Sequence, residues 1–189
     1  MSRYELYLLV HILGAIVWVG AHANLQFLAL RAERSGDDAG LKQVLDDGDA
    51  LAKIILPASL AVVIAGVLMV LDGPWSFSML WIDLGLAGFA ATFVTGMFLL
   101  EPAGKRLSAV VEAEGGFTPP AAAQAKRLLA IARVDALVIV LVVAVMVAKP
   151  TGDDVAFLLV LAAILIAGAV AAVRRTRAID AGEAAPATA

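Results

Sequence analysis

Five long apolar stretches, separated by charged or turn-forming segments, dominate the hydrophobic pattern of this chain. They run from about Tyr4 to Leu30, Leu51 to Leu71, Met79 to Leu100, Leu129 to Ala148 and Val155 to Val173. A helix of about 20 apolar residues, rising about 1.5 Å each, crosses a hydrocarbon core of about 30 Å, so each stretch is long enough to span a bilayer. The pattern predicts an all-α polytopic membrane protein, a bundle of five transmembrane helices forming one domain over residues 1–178. The remaining segment, 179–189, is rich in Ala, Gly, Glu, Pro and Thr and reads as a disordered tail.

The connections carry their own signals. Asp72-Gly73-Pro74 and Lys149-Pro150-Thr151-Gly152 are short turn sequences, which predicts crossings two and three, and four and five, as antiparallel neighbours. Arg31 to Ala50 is mostly charged, with Leu41, Val44 and Leu45 forming a short apolar stripe; a surface helix and a flexible acidic loop are both open there. Thr118 followed by Pro119-Pro120 reads as the cap and first turn of a long helix that continues into the fourth crossing. Pro57, inside the second crossing, lacks a backbone donor and predicts a kink or irregular turn.

Charge orients the bundle. Of the fourteen Lys and Arg residues, all but Arg3 and Lys149 fall in the first and third connections, at their edges, or in the tail. The positive-inside rule makes that side cytoplasmic, with the N-terminus outside and the C-terminus inside. Tyr4, Tyr7, Trp75 and Trp81 fall at the outer boundary, where amphipathic rings favour the headgroup layer. Arg3, the apolar run and Ala21-His22-Ala23 imitate a cleavable signal, but cleavage would invert every later crossing against the charge bias, so the first crossing is read as retained.

Composition agrees: 62% of residues are apolar and 16% charged, too few charges to cover a water-exposed globule. With no cysteine, disulfides, thiol catalysis and zinc–thiolate sites are excluded. The net charge of −3 gives no general attraction to nucleic acid. The partner implied is the lipid bilayer; a homo-oligomer or a second membrane protein stays open. No phosphate loop, nucleophile elbow or His-Glu-x-x-His helix is present.

Ionisable residues inside a membrane are costly and call for a reason. His11 and His22, the only two histidines, lie eleven residues apart in the first crossing, on one helix face and about 16 Å apart along the axis. That is too far to share a metal ion, whose ligand bonds are about 2 Å long. His11, with Trp18 on the same stripe and Asp83 at a similar depth in crossing three, is the candidate cofactor or metal site. A haem iron held by one imidazole is compatible with that geometry. The other reading of His11 is an imidazole donating to a carbonyl of a neighbouring helix. Asp83 reads equally as a first-turn acid at the outer headgroups.

Lys53, Glu101, Arg133 and Asp135 lie at the cytoplasmic edge of crossings two, three and four, either as an ion-pair ring or as snorkelling side chains. Gly88, Thr92 and Gly96 repeat every four residues in crossing three, the spacing of a close helix-packing face.

Several strings taken in order carry a resemblance. They are Leu9 to Gly20 (LVHILGAIVWVG), Leu56-Pro57-Ala58 through Gly66, Gly73 to Ser78 (GPWSFS), Glu101 to Arg106 (EPAGKR) and Met146 to Pro150 (MVAKP). Together they resemble the domain-of-unknown-function family 2269 of bacterial integral membrane proteins, over about Tyr4 to Pro150. The resemblance implies the membrane fold, in a bacterial cytoplasmic membrane, and no assigned activity. His11, Trp18 and Gly20 are also similar to the first helix of CopD-type copper-resistance proteins and HemJ-type protoporphyrinogen oxidases. In the latter an early-helix histidine is associated with haem, which the likeness places at His11. The expectation is a membrane protein holding haem or a metal through His11, or else a non-catalytic transport or assembly component whose polar residues serve packing.

Overall fold

A computed structural model describes residues 1–184, with side chains through 181. It is built of helices: α1 Arg3–Ser35, α2 Asp38–Asp72, α3 Leu80–Thr95, α4 Glu101–Ala113, α5 Pro119–Ala148 and α6 Val155–Ala184. A π-helical turn, Gly96–Leu100, joins α3 to α4. Among the described residues five helices are long and apolar enough to cross a membrane: α1, α2, the continuous Leu80–Ala113 segment, α5 and Val155–Ala181 of α6.

Local sequence explains the helix ends. Ser2 and Glu5 form a reciprocal capping box, with the Ser2 N–H donating to Glu5 Oε2 at 2.7 Å and the Glu5 N–H to Ser2 Oγ at 3.2 Å. Gly36 ends α1 in the left-handed region (φ 64°), and the Asp37 carboxylate then caps α2 by accepting the Gly40 N–H at 2.8 Å. The charged segment between Arg31 and Ala50 is therefore mostly helical. It reverses over Gly36 and Asp37, and the apolar stripe of Leu41 and Val44 is buried.

The π turn also has a cause in the sequence. Pro102 cannot donate a hydrogen bond back along the helix, and just before it the Glu101 N–H bonds to the Gly96 carbonyl, five residues back. Pro57, by contrast, lies within α2 without interrupting it. At the start of α6, Asp154 accepts the Thr151 N–H at 2.7 Å and its hydroxyl at 2.9 Å, which holds the Asp154 carboxyl below its ordinary range.

α5 is the central helix and touches every other one. The largest interface is α1 on α2. The pairing of crossings four and five as neighbours is seen as α6 on α5, but crossing three packs on α5 rather than beside crossing two. The connection between α2 and α3 leaves α3 free to take that place. Gly85 and Gly88 make the approach to α5, where a Cβ would press on Met146 and Val142 respectively. Thr92 is buried, its hydroxyl donating to the Phe89 carbonyl, whereas a Cβ at Gly96 would meet open space. The π turn that starts at Gly96 ends the regular four-residue register.

Three apolar clusters organise the interior. Trp18, Val62 and Ile139 join α1, α2 and α5 at mid-bundle. Two more lie toward the end rich in basic residues: Ala29, Ala32, Leu41, Val44 and Leu129 in one, Leu107, Ala121 and Ala125 in the other. At the opposite end the Trp75 indole N–H donates to Tyr4 Oη at 3.0 Å and its ring meets Trp81 edge-on. The Lys149 ammonium stands 4.1 Å above the Trp75 ring. α6 is helical through Ala184, so the helix enters the segment read as a disordered tail; residues 185–189 lie outside the described residues.

Candidate functional site

The strongest polar constellation lies between α1 and α5, toward the basic end. The His22 ring uses Nδ1 to hydrogen-bond the Trp18 carbonyl, one turn earlier in α1, at 2.9 Å. A carbonyl only accepts, so Nδ1 carries the proton. Nε2 then faces Asp135 Oδ2 of α5 at 3.6 Å. If His22 is neutral, that nitrogen presents a lone pair to a carboxylate, an arrangement without a hydrogen bond. The contact becomes favourable when one further proton resides on Nε2 or on Asp135. Asp135 is 5% exposed, and its second oxygen, Oδ1, is buried with no partner.

The ionic groups continue along the same face. Glu33, eleven residues after His22, pairs with Arg133 of α5 and, at 2.6 Å, with Arg175 of α6. One carboxylate therefore joins three helices. Arg133 and Asp135, two apart on α5, take different partners on α1, as their angular separation requires. Among the described residues four buried side-chain polar atoms have no hydrogen-bond partner: Gln26 Oε1, Glu33 Oε1, Arg133 Nε and Asp135 Oδ1. All four belong to this cluster.

A cleft of about 310 Å³ opens beside it. His22, Gln26 and Arg133 line it together with Val19, Ile139 and Val140. The surface exposed in the cleft is almost wholly apolar, and the unpaired polar atoms of the cluster are buried behind it.

His11 stands apart from this cluster. Its Nδ1 hydrogen-bonds the Val62 carbonyl of α2 at 2.8 Å, and its ring lies over Gly66, where a Cβ would come within 3.2 Å of Cε1. The contact is interhelical, and it leaves Nε2 as the nitrogen with a lone pair. Trp18 is core, meeting His22 and Phe89 edge-on. Asp83 is exposed in the first turn of α3, and among the described residues no hydrogen bond or ion pair joins it to His11. Nor do three His, Asp or Glu side chains among them gather closely enough to hold a metal ion.

The four edge residues do not pair with one another. Glu101 holds Lys105 at 2.6 Å, Arg133 and Asp135 reach α1, and Lys53 is exposed. Sequence reasoning missed Gln26, Glu33 and Arg175, although a signal for Glu33 existed. The eleven-residue step from His11 to His22 continues to Glu33, so all three share one helix face.

Residues 5–150 match the family described as predicted integral membrane protein (DUF2269). The chain belongs to the DUF2269 family. No curated protein and no solved structure matches it. In this DUF2269 chain the matched span takes in α1 from Glu5 onward and all of α5, and with them His22, Gln26, Glu33, Arg133 and Asp135. Arg175, on α6, lies beyond it.

Proposed function

We propose that this DUF2269 protein is a multi-pass component of a bacterial cytoplasmic membrane that binds a small ligand in the cleft between α1 and α5. The buried His22–Asp135 contact and the Glu33–Arg133 pair, set beside a cleft that His22, Gln26 and Arg133 help to line, carry this reading. Ionisable groups at membrane depth mark ligand or proton pathways, and the His22–Asp135 contact gives the site a group that gains or loses a proton.

The orientation proposed is N-terminus outside and basic end in the cytoplasm, on the distribution of Lys and Arg. Reporter fusions near Gly40 and Trp75 are expected to report inside and outside respectively. The reverse result would place the cleft in the other leaflet.

Ligand retention tests the site itself. After mild detergent extraction, mass spectrometry of the wild-type protein is expected to find a co-purifying small molecule, diminished in His22→Leu and Asp135→Asn and unchanged in His11→Ala. An identical complement in all four proteins would sink the reading.

A second reading keeps His11 as a haem ligand. The bond from Nδ1 to the Val62 carbonyl favours it, because a ligating imidazole commonly donates its other N–H in this way. Haem bound there would be held by His11 through Nε2 and would supply electron-transfer chemistry. The same preparations decide the matter: a haem absorption band lost in His11→Ala supports this reading, and a colourless wild-type protein removes it.

A further inference from the structure

The contact between His22 and Asp135 is one proton short of a hydrogen bond. His22 Nδ1 is spent on the Trp18 carbonyl at 2.9 Å, so Nε2 meets Asp135 Oδ2, 3.6 Å away, as a lone pair facing a carboxylate oxygen. With no proton between them both groups are acceptors, and the buried carboxylate has no donor on its other side either, since Oδ1 is unpartnered. One proton satisfies the pair, as a carboxylic acid donating to Nε2 or as an imidazolium donating to the carboxylate. A second proton would leave a buried imidazolium facing a neutral acid, a charge without a counter-charge. The pair is complete with a single proton.

The surrounding ionic groups are engaged elsewhere. On α1 and α5 the neighbours are Glu33 and Arg133, which pair with each other, and α6 adds Arg175 to the same carboxylate. α2 and α3 bring Ile55, Val62 and Phe89 to the level of Trp18, all of them uncharged. Lys53 of α2 is exposed, and in α4 Glu101 is paired with Lys105.

His22 lines the cleft and its side chain is 17% exposed, whereas Asp135 lies behind it at 5%. The proton therefore comes from water in the cleft, by way of Nε2, and returns the same way. Its loss has a mechanical consequence. α1 is seated mainly on α2 and has the smaller interface with α5, so the α1–α5 contact is the one that yields. Two facing acceptors and an unpaired carboxylate favour a separation there that admits water. The residues lining the cleft all belong to these two helices, so the cleft widens with it.

We propose that the His22–Asp135 pair is a single-proton site whose occupancy holds α1 on α5, narrowing the cleft when filled and widening it when empty. This rests on the cleft as the ligand site and names proton binding as its regulation.

The chain has no cysteine, so spin labels attach only where cysteines are introduced. Phe27→Cys on α1 and Val143→Cys on α5, both at exposed positions, carry a nitroxide pair in the full chain, reconstituted in phosphatidylcholine vesicles with the same buffer on both sides. Raising the pH is expected to lengthen the distance between the labels, with the ratio of open to closed protein changing about tenfold per pH unit, the steepness of one proton. Asp135→Asn is expected to keep the short distance at every pH, because its amide donates permanently to Nε2. His22→Gln is expected to do the same from α1, its amide donating to the carboxylate. Infrared difference spectra across the wild-type transition are expected to show a carboxyl or imidazolium proton signal that both variants lack.

A label distance indifferent to pH overturns the proposal, and so does a transition that survives in both variants, which would belong to another group. A proton signal without a change in distance overturns it too, since the site would then not control the cleft. If Asp135→Asn fails to fold, His22→Gln carries the comparison by itself. Should a small molecule co-purify while the distance ignores pH, the regulation is wrong and the ligand-binding reading stands. Should the pH response appear with no co-purified molecule, the ligand-binding reading falls and the proton site stands.

Discussion

Replacing Glu33 by Ala is expected to destabilise the bundle by about 3 kcal/mol, the lower end of the range for breaking a buried ion pair. The Glu33 side chain is 5% exposed, so it meets its partners largely out of water. Without it, the Arg133 guanidinium loses its paired carboxylate at a position where it is only 22% exposed. Arg175, 42% exposed, can turn toward solvent, so its share is discounted. The expected order of destabilisation is Glu33→Ala, then Arg133→Ala, then Arg175→Ala, read from thermal or chemical unfolding in detergent. In the double variant Glu33→Ala with Arg133→Ala the losses should fall short of additive, because removing the second partner relieves a stranded charge. A Glu33→Ala change within about 0.5 kcal/mol of wild type would mean that the carboxylate does not clamp the three helices.

That carboxylate illustrates where sequence reasoning stopped. The spans were legible because length and hydropathy are local properties: α1, α2, α5 and α6 contain the expected apolar stretches. What was lost was the continuation of helix beyond the apolar stretch. Arg31 to Ser35 and Asp38 to Ala50 hold charged helix formers, and charge density alone suggests a solvated loop. The punctuation is two residues long, a left-handed glycine followed by an aspartate cap, and it decides between the surface helix and the acidic loop in favour of a helical hairpin. Glu33 sits just before that punctuation, which is why it was passed over.

The choice between the histidines was also nonlocal. On α1 alone, His11 and His22 are related by three turns and look alike. What separates them is the neighbour each meets: α2 supplies His11 with a backbone carbonyl, whereas α5 supplies His22 with a carboxylate. That depends on α5 occupying the centre of the bundle, a consequence of packing that no window of sequence contains. The placement of α3 on α5 was hidden in the same way, since a short connection suggested contact with α2.

Packing glycines give the second large expected effect, and they divide by environment. In a bilayer the hydrophobic effect adds little to helix association, so close backbone approach and van der Waals fit carry much of the stability. A Cβ at Gly14 would lie 2.9 Å from Val62 Cγ2 and 3.1 Å from the Ala58 carbonyl oxygen, on the α1–α2 interface. The carbonyl belongs to helical backbone and cannot swing aside, so Gly14→Leu must separate the two helices. The expected cost is about 1–3 kcal/mol, typical of forcing extra atoms into a packed interface. The same separation lengthens the His11–Val62 hydrogen bond, 2.8 Å in the native protein, so Gly14→Leu and His11→Ala should be less than additive in combination. Gly96→Leu is the control, because a side chain there enters open space. Thermal unfolding of the three variants should place Gly14→Leu well below wild type and Gly96→Leu close to it. If Gly96→Leu proves the more damaging, the α3 register would have to run through Gly96, and its packing face would extend past the π turn.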